Sequence, residues 1–461
     1  MCGIIGVSGV QNAAEVAHLG LYALQHRGQE SAGIVSIDDD DGAHARREMG
    51  LVSEVFPPAA LEELAGSVAI GHTRYSTTGS SVLANAQPVV VNYHAGPLAL
   101  VHNGNLTNAR ELREDLVRKG SIFQTSSDSE ALIHLIARSD AREPEDQILD
   151  AIERAEGAYT LLLTVGRALY AIVDPRGFRP LVMGKLGDGY VLASETCALD
   201  IVGATLVREL QPGEWIKIED GQVTELPRLA DRPHRRCVFE LIYFSRPDSE
   251  VFGRSVDHVR RELGRQLARE YPTPGADNVF SVPDSSNAMA LGYAEESGLK
   301  LEHGLIRNHY VGRTFINPGQ ANRLAKVRIK FNPVRDVIEN KSVVVVDDSI
   351  VRGTTSKLLI QMIRQAGARE VHMRIASPPI TGPCLYGIDT PTWDELIGAQ
   401  KSVDEIRDYL GVDTLGYLSL DGTLKAAGGD PETFCHACFS GDYPTPVPQR
   451  NRHAAEPALI D

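Results

Sequence analysis

The chain has 461 residues, 43% of them hydrophobic and 23% charged, and a formal net charge of −15. These are the fractions of a folded globular protein, and the acidic balance excludes general binding to nucleic acid or to an anionic membrane. Without a ~18-residue apolar run, a basic signal-peptide lead or a disulfide-like cysteine pattern, the sequence predicts a cytoplasmic protein with length for about three domains.

The start reads Met1-Cys2-Gly3-Ile4-Ile5-Gly6-Val7. Once Met1 is removed, one residue carries a thiol and a free α-amine, with unperturbed pKa values of about 8.5 and ~7.7–8.0. Proton transfer between them is close to balanced, and a thiol beside its own base is a ready nucleophile. With Met1 retained the nitrogen is a non-basic amide, and the arrangement fails. Ala13 to Gln25 is predicted as a helix with Val16, Leu19 and Leu24 inward, followed by a polar, glycine-marked turn, His26-Arg27-Gly28-Gln29-Glu30-Ser31-Ala32-Gly33.

Next come Gly71-His72-Thr73-Arg74-Tyr75-Ser76-Thr77-Thr78-Gly79 and Asn85-Ala86-Gln87-Pro88. A strand from Pro97 to Val101 runs into His102-Asn103-Gly104-Asn105, where Asn-Gly reads as a turn. Such a turn presents a backbone N–H and an amide side chain together, as an oxyanion hole requires. Asn108 with Glu111 marks a helix start, with Leu112 and Leu116 inward and a stop at Gly120. Ser127-Asp128-Ser129-Glu130 is a second capping signature, which by spacing makes Asp128 a helix-start carboxylate.

Taken together, these five segments in one order resemble the N-terminal-nucleophile glutamine amidotransferases. The resemblance implies two β-sheets between helical layers, a four-layer αββα sandwich over residues 2–231. It implies that Cys2 attacks the glutamine amide, that Asn103 and Gly104 hold the oxyanion, that Arg74 grips the α-carboxylate and that Asp128 receives the α-amino group. Asp174-Pro175-Arg176-Gly177-Phe178-Arg179-Pro180 and Ser194-Glu195-Thr196-Cys197 are similar to the version joined to a phosphoribosyltransferase. Cys197 itself reads as a small buried apolar residue. Leu226 to Pro233 has the composition of a linker, which places a boundary near Asp231.

In the second half, Val343 to Val346 form a buried strand ending in Asp347-Asp348, and the polar loop Ser349-Ile350-Val351-Arg352-Gly353-Thr354-Thr355-Ser356 opens a helix over Lys357 to Gly367. With a further strand at Val371 to Ala376 this is a βαβ unit, its loop at the carboxyl end of a parallel strand. Small hydroxyl residues and glycine at a helix start cradle an anion, without the Walker A spacing, and paired acids suit ribose hydroxyls and a hard cation. The stretch closely resembles the 5-phosphoribosyl 1-diphosphate (PRPP) loop of type I phosphoribosyltransferases. That resemblance implies an α/β domain with a parallel sheet over 232–440. Arg352, Gly353, Thr354, Thr355 and Ser356 would hold the 5-phosphate beside Ser349, and Asp347 and Asp348 would hold ribose and Mg2+. Val282-Pro283-Asp284-Ser285-Ser286 is similar to the pyrophosphate-side turn, with Ser285 near the metal. Tyr310 to Lys330, with Arg323, Lys326, Arg328 and Lys330, resembles a loop that closes over PRPP. His309 stands where the family commonly has arginine.

Four cysteines remain: Cys237, Cys384, Cys435 and Cys438. Spacing alone leaves open a structural zinc, an iron–sulfur cluster or unligated buried thiols. Both halves together, with the segment from Cys237 to Ser249, resemble the glutamine PRPP amidotransferase family, whose iron–sulfur branch has cysteines in matching contexts. The resemblance implies one [4Fe–4S] cluster and one Mg2+ per subunit. It further implies a coupling role near Tyr243, Ser245 and Arg246, glutamine and PRPP as substrates, purine nucleotides as feedback inhibitors and a homotetramer. A polar, proline-containing tail is expected over 441–461. Two rival readings stay open on sequence: an amidotransferase with another acceptor, such as a sugar phosphate, and a non-catalytic PRPP- or nucleotide-sensing regulator.

Overall fold

A computed structural model describes residues 1–75, 80–309 and 328–447. Ser76 to Gly79, most of the expected closing loop (Tyr310 to Val327) and the end of the expected tail lie outside the described residues.

The first half holds two antiparallel sheets. One has seven strands, in the order 205–209, 182–186, 189–193, 3–8, 68–74, 31–37 and 43–49; the other has six, in the order 222–225, 215–219, 168–173, 157–165, 96–106 and 89–93. Alternating residues of both sheets, among them Ile4, Val35, Ile70, Val101, Leu162 and Ala171, interlock as a dry layer between them. The outer face of the first sheet is covered by the helices Ala13–Ala23 and Thr196–Val202, and that of the second by Ala109–Arg118, Ser129–Ala137 and Pro144–Glu153. The four-layer αββα sandwich follows.

Several local expectations change. In the first helix Ala13, Ala17 and Leu21 are buried, whereas Leu19 is 46% exposed. Leu24 is buried and Val16 packs against the same core, as expected, so of that stripe only Leu19 turns outward. Asn103-Gly104 is no turn: the strand Gly96–Leu106 runs straight through it, with Asn103 opposite Thr160 and Gly104 opposite Tyr159. Pairing along the whole strand overrides the local Asn-Gly preference. Neither Asn108 nor Asp128 caps its helix through its side chain. The Asn108 amide instead donates to the Arg154 carbonyl at 2.8 Å and accepts from the Glu156 N–H at 3.0 Å. Cys197 is buried, and burial pushes its thiol up to about 12.

The second half is built on a four-stranded parallel sheet in the order 278–281, 342–347, 370–375 and 414–417. Val344 and Val346 face the helices Val256–Glu270 and Asn287–Ser297, while Val343 and Val345 face Thr354–Gln365 and Val403–Leu410. The central strand is therefore apolar on both sides, as a valine run requires. Arg236–Cys237 pairs in parallel with Phe434–Cys435, which returns the end of the chain to the junction of the halves. Part of the expected tail is anchored there: the Tyr443 hydroxyl donates to the Pro383 carbonyl at 2.6 Å, and Thr445 is buried against the Tyr386 hydroxyl at 3.0 Å. No helix among the described residues is long and apolar enough to cross a membrane.

Candidate active sites and the junction between them

Cys2 lies just before the strand Gly3–Ser8, where the two sheets open, and is 7% exposed. The register opposes Gly3 to Thr73, which sets Cys2 beside Arg74 one step further on. The Cys2 backbone N–H donates to Asn103 Oδ1 at 3.3 Å, and its thiol points at the Tyr75 carbonyl oxygen at 3.7 Å. The other end of that amide, Asn103 Nδ2, is buried with no hydrogen-bond partner among the described residues. An unpaired buried donor costs about 1–3 kcal/mol, and one beside a thiol is a candidate for holding negative charge that develops on a bound oxygen.

Arg74 is buried, donates to the Ser80 carbonyl at 3.1 Å and lies 4.0 Å from Glu30. Asp128 accepts the Leu106 N–H at 2.9 Å and stands 3.6 Å from His102 Nδ1. Its carboxylate thus bonds the strand that carries Asn103 rather than its own helix. The neighbouring His72, buried and facing Arg74, is pushed down to about 3 and stays neutral.

The second site gathers Asp347, Asp348, Ser285 and Ser349 at the carboxyl end of the central parallel strand. Ser285 donates to one oxygen of Asp348 at 2.5 Å, Ser349 to the other at 2.6 Å, and the Asp348 N–H to Asp347 at 3.0 Å. Burial and the neighbouring acid raise the pKa of Asp347, and burial also raises that of Asp348. Gly353 precedes the helix Thr354–Gln365, with Thr354 and Thr355 exposed on its first turn and Ser356 buried. First-turn N–H groups and the helix dipole make this an anion site. Arg352 projects to Glu395, at 3.2 and 3.3 Å. His309 lines a cavity of about 240 Å³ with Arg307, which pairs with Asp284 at 2.6 Å.

Between the sites lies a buried charge network that sequence reasoning did not assemble. Arg27 bonds Glu195 of the first half and, at 2.8 Å, Glu240 of the second; all three side chains are wholly enclosed. Arg179 reaches Glu240 at 3.3 Å, and Ser245 donates to Glu240 at 2.9 Å. Burial opposes the charge on Arg27, but the two carboxylates outweigh it and its pKa rises. Loss of solvation, with the charges of Asp348 and Asp347 and the phenol of Tyr75, pushes the Tyr243 hydroxyl up to about 12. These partners are far apart in sequence and carry no spacing signal.

Among the described residues no group of three His, Cys, Asp or Glu stands ready to hold a metal ion. The four remaining cysteines nevertheless share one buried region as free thiols. Cys237 lies opposite Cys435, and Cys438 is raised by burial with Cys384, Cys237 and Cys435 all within electrostatic reach. Four sulfurs suit a thiolate-ligated centre, whereas two carboxylates with two hydroxyls suit a hard cation that keeps water or phosphate ligands.

The chain is 52% identical over 444 residues to amidophosphoribosyltransferase 2, chloroplastic, of Arabidopsis thaliana, covering 96% of this chain and 79% of the relative. The chain belongs to the amidophosphoribosyltransferase family. The amidophosphoribosyltransferase of Bacillus subtilis is 49% identical over 455 residues, covering 97% of this chain and 95% of that protein. A glutamine amidotransferase domain model matches residues 72–200. A solved structure described as the allosteric regulatory enzyme of purine biosynthesis superposes with a TM-score of 0.93, at 49% identity and 97% coverage of both chains. The glutamine PRPP amidotransferase of B. subtilis in complex with ADP and GMP superposes with a TM-score of 0.92, at 48% identity over 97% of this chain and 98% of that one. As an amidophosphoribosyltransferase the chain is a glutamine-dependent phosphoribosyltransferase, which removes the readings as a regulator and as an amidotransferase with another acceptor.

Proposed function

We infer that this chain hydrolyses glutamine at Cys2 and passes the ammonia to PRPP, giving 5-phosphoribosylamine, glutamate and pyrophosphate, the first committed step of purine nucleotide synthesis. The observation that carries the glutaminase half is the Asn103 amide, with Oδ1 on the Cys2 nitrogen and Nδ2 unpartnered. With Cys2 as first residue, its α-amine takes the thiol proton, and Asn103 Oδ1 keeps that amine in place. Arg74 holds the substrate carboxylate and Asp128 its ammonium group. The thiolate adds to the side-chain amide, and Asn103 Nδ2 with the Gly104 N–H receive the charge on oxygen. Ammonia leaves, and water then hydrolyses the γ-glutamyl thioester. Asn103→Ala is expected to lower kcat for glutamine hydrolysis by about 10²–10³, leaving synthesis from added ammonium salt unchanged. An unchanged glutaminase kcat would count against the assignment.

At the second site the first turn after Gly353, with Arg352, Thr354, Thr355 and Ser356, would hold the 5-phosphate. Asp347 and Asp348 would orient the ribose for attack at the anomeric carbon. One Mg2+ per subunit, held with PRPP by Asp347, Asp348 and Ser285, would supply neutralisation of the leaving pyrophosphate. Closure of the segment around Arg328 and Lys330 would exclude water that competes with ammonia. We place the boundary of the two domains at Asp231.

Cys237, Cys384, Cys435 and Cys438 would hold one [4Fe–4S] cluster per subunit, a structural group that fastens 434–439 to the junction. The purified protein should be brown and oxygen-labile, with about four irons per chain. A colourless, fully active protein containing zinc would overturn this. The ADP and GMP in the B. subtilis relative support purine nucleotides as feedback inhibitors. A homotetramer in the cytoplasm completes the reading.

A further inference from the structure

The segment after Cys384 belongs to the phosphoribosyltransferase half but rests on the oxyanion strand of the glutaminase half. At Gly387, which has φ +103°, an added Cβ would meet the Gly104 Cα, C and O atoms at 2.8–2.9 Å, so the two backbones abut with no side chain between them. Three further contacts fix the segment. Asn105 Nδ2 donates to the Leu385 carbonyl at 3.0 Å, and the buried Arg179 guanidinium donates twice to the Tyr386 carbonyl, at 2.6 and 3.2 Å. The Tyr386 ring stacks on Phe178, with centroids 4.3 Å apart and planes 15° apart. The Tyr386 N–H also donates to Cys384 Sγ at 3.3 Å. On its other side the peptide of Gly104 is set by pairing with Tyr159. The oxyanion residue is therefore clamped from both sides, one of them by a different domain.

The geometry points to Gly387 as a positioning residue for glutamine hydrolysis, holding the Gly104 N–H where the oxyanion forms. It rests on the assignment of Cys2, Asn103 and Gly104 above. A displacement of about 1 Å in such a donor can cost on the order of 10²-fold in rate, while the substrate-binding Arg74 lies on a different strand. The effect therefore falls on kcat for glutamine hydrolysis rather than on KM.

The test compares Gly387→Ala, Asn105→Ala and Cys2→Ala in the full-length enzyme. Glutamine hydrolysis, labelling of Cys2 by a diazoketone analogue of glutamine, and synthesis from ammonium salt are measured for each. Gly387→Ala should lower glutaminase kcat by about 10–10² and slow the labelling, with the KM for glutamine within threefold and ammonia-dependent synthesis unchanged. Asn105→Ala, which loosens the same contact without adding atoms, should lower kcat by about 5–10-fold, and it decides the matter if the alanine at 387 prevents folding. Unchanged kcat in both, or equal loss of both half-reactions, overturns the proposal. Cys2→Ala separates the failures, because a variant that still hydrolyses glutamine overturns the site assignment itself.

Discussion

Cys2→Ala is expected to abolish glutamine hydrolysis and glutamine-dependent synthesis, by at least about 10³-fold, while synthesis from ammonium salt stays within about twofold of the parent. Alanine removes only the sulfur. The backbone nitrogen that meets Asn103 remains, and so does the register that sets residue 2 beside Arg74. The fold should therefore be undisturbed, and the loss is chemical. Ammonia supplied from solution bypasses the missing step, because the groups around Asp347 and Asp348 belong to a separate sheet. Parallel assays of glutamate release and pyrophosphate release check this, and loss of both would make Cys2 a structural residue.

Asp348→Asn should produce the opposite pattern. Synthesis from either nitrogen source should fall by about 10² or more, with glutamine hydrolysis in the absence of PRPP retained. Asparagine keeps the shape of the side chain but replaces one acceptor oxygen by a donor. Ser285 and Ser349 donate to the two carboxylate oxygens, so one hydroxyl would have to turn and accept from the new amide instead of donating. The negative charge offered to ribose and metal would be lost as well. Mg2+-dependent PRPP binding by calorimetry, beside the two assays, checks the result; full activity with ammonium salt would remove Asp348 from the site.

Local sequence carried much of this architecture. The valine run ending in two acids could only be a buried parallel strand, and the loop of small residues after it could only open a helix. The motifs that carry Cys2, Arg74 and Asn103 do meet in space, and the roles proposed for them come from the family those motifs resemble. Long-range pairing overrides the local preference of Asn103-Gly104 for a turn, and Asp128, which does sit at its helix start, bonds Leu106 instead of capping the helix. The Arg27–Glu195–Glu240 bridge and the contact of Gly387 with Gly104 lay beyond reach for a different reason. Each joins residues hundreds of positions apart, and nothing in local composition specifies which buried arginine meets which carboxylate. Breaking that bridge on one side would leave an uncompensated buried charge, at a cost of about 3–5 kcal/mol.

Met1 is only 1% exposed, and its side chain packs in the apolar core of the second half with Val238, Leu241 and Ile242 among its companions. Its sulfur lies 2.7 Å from Arg179, and burial lowers its α-amine to about 6. A peptidase cannot reach a residue enclosed in that way. If Cys2 is the nucleophile, that packing sets removal of Met1 against docking of the two halves. On that reading a chain that kept Met1 would gain this packing and lack a free amine at Cys2.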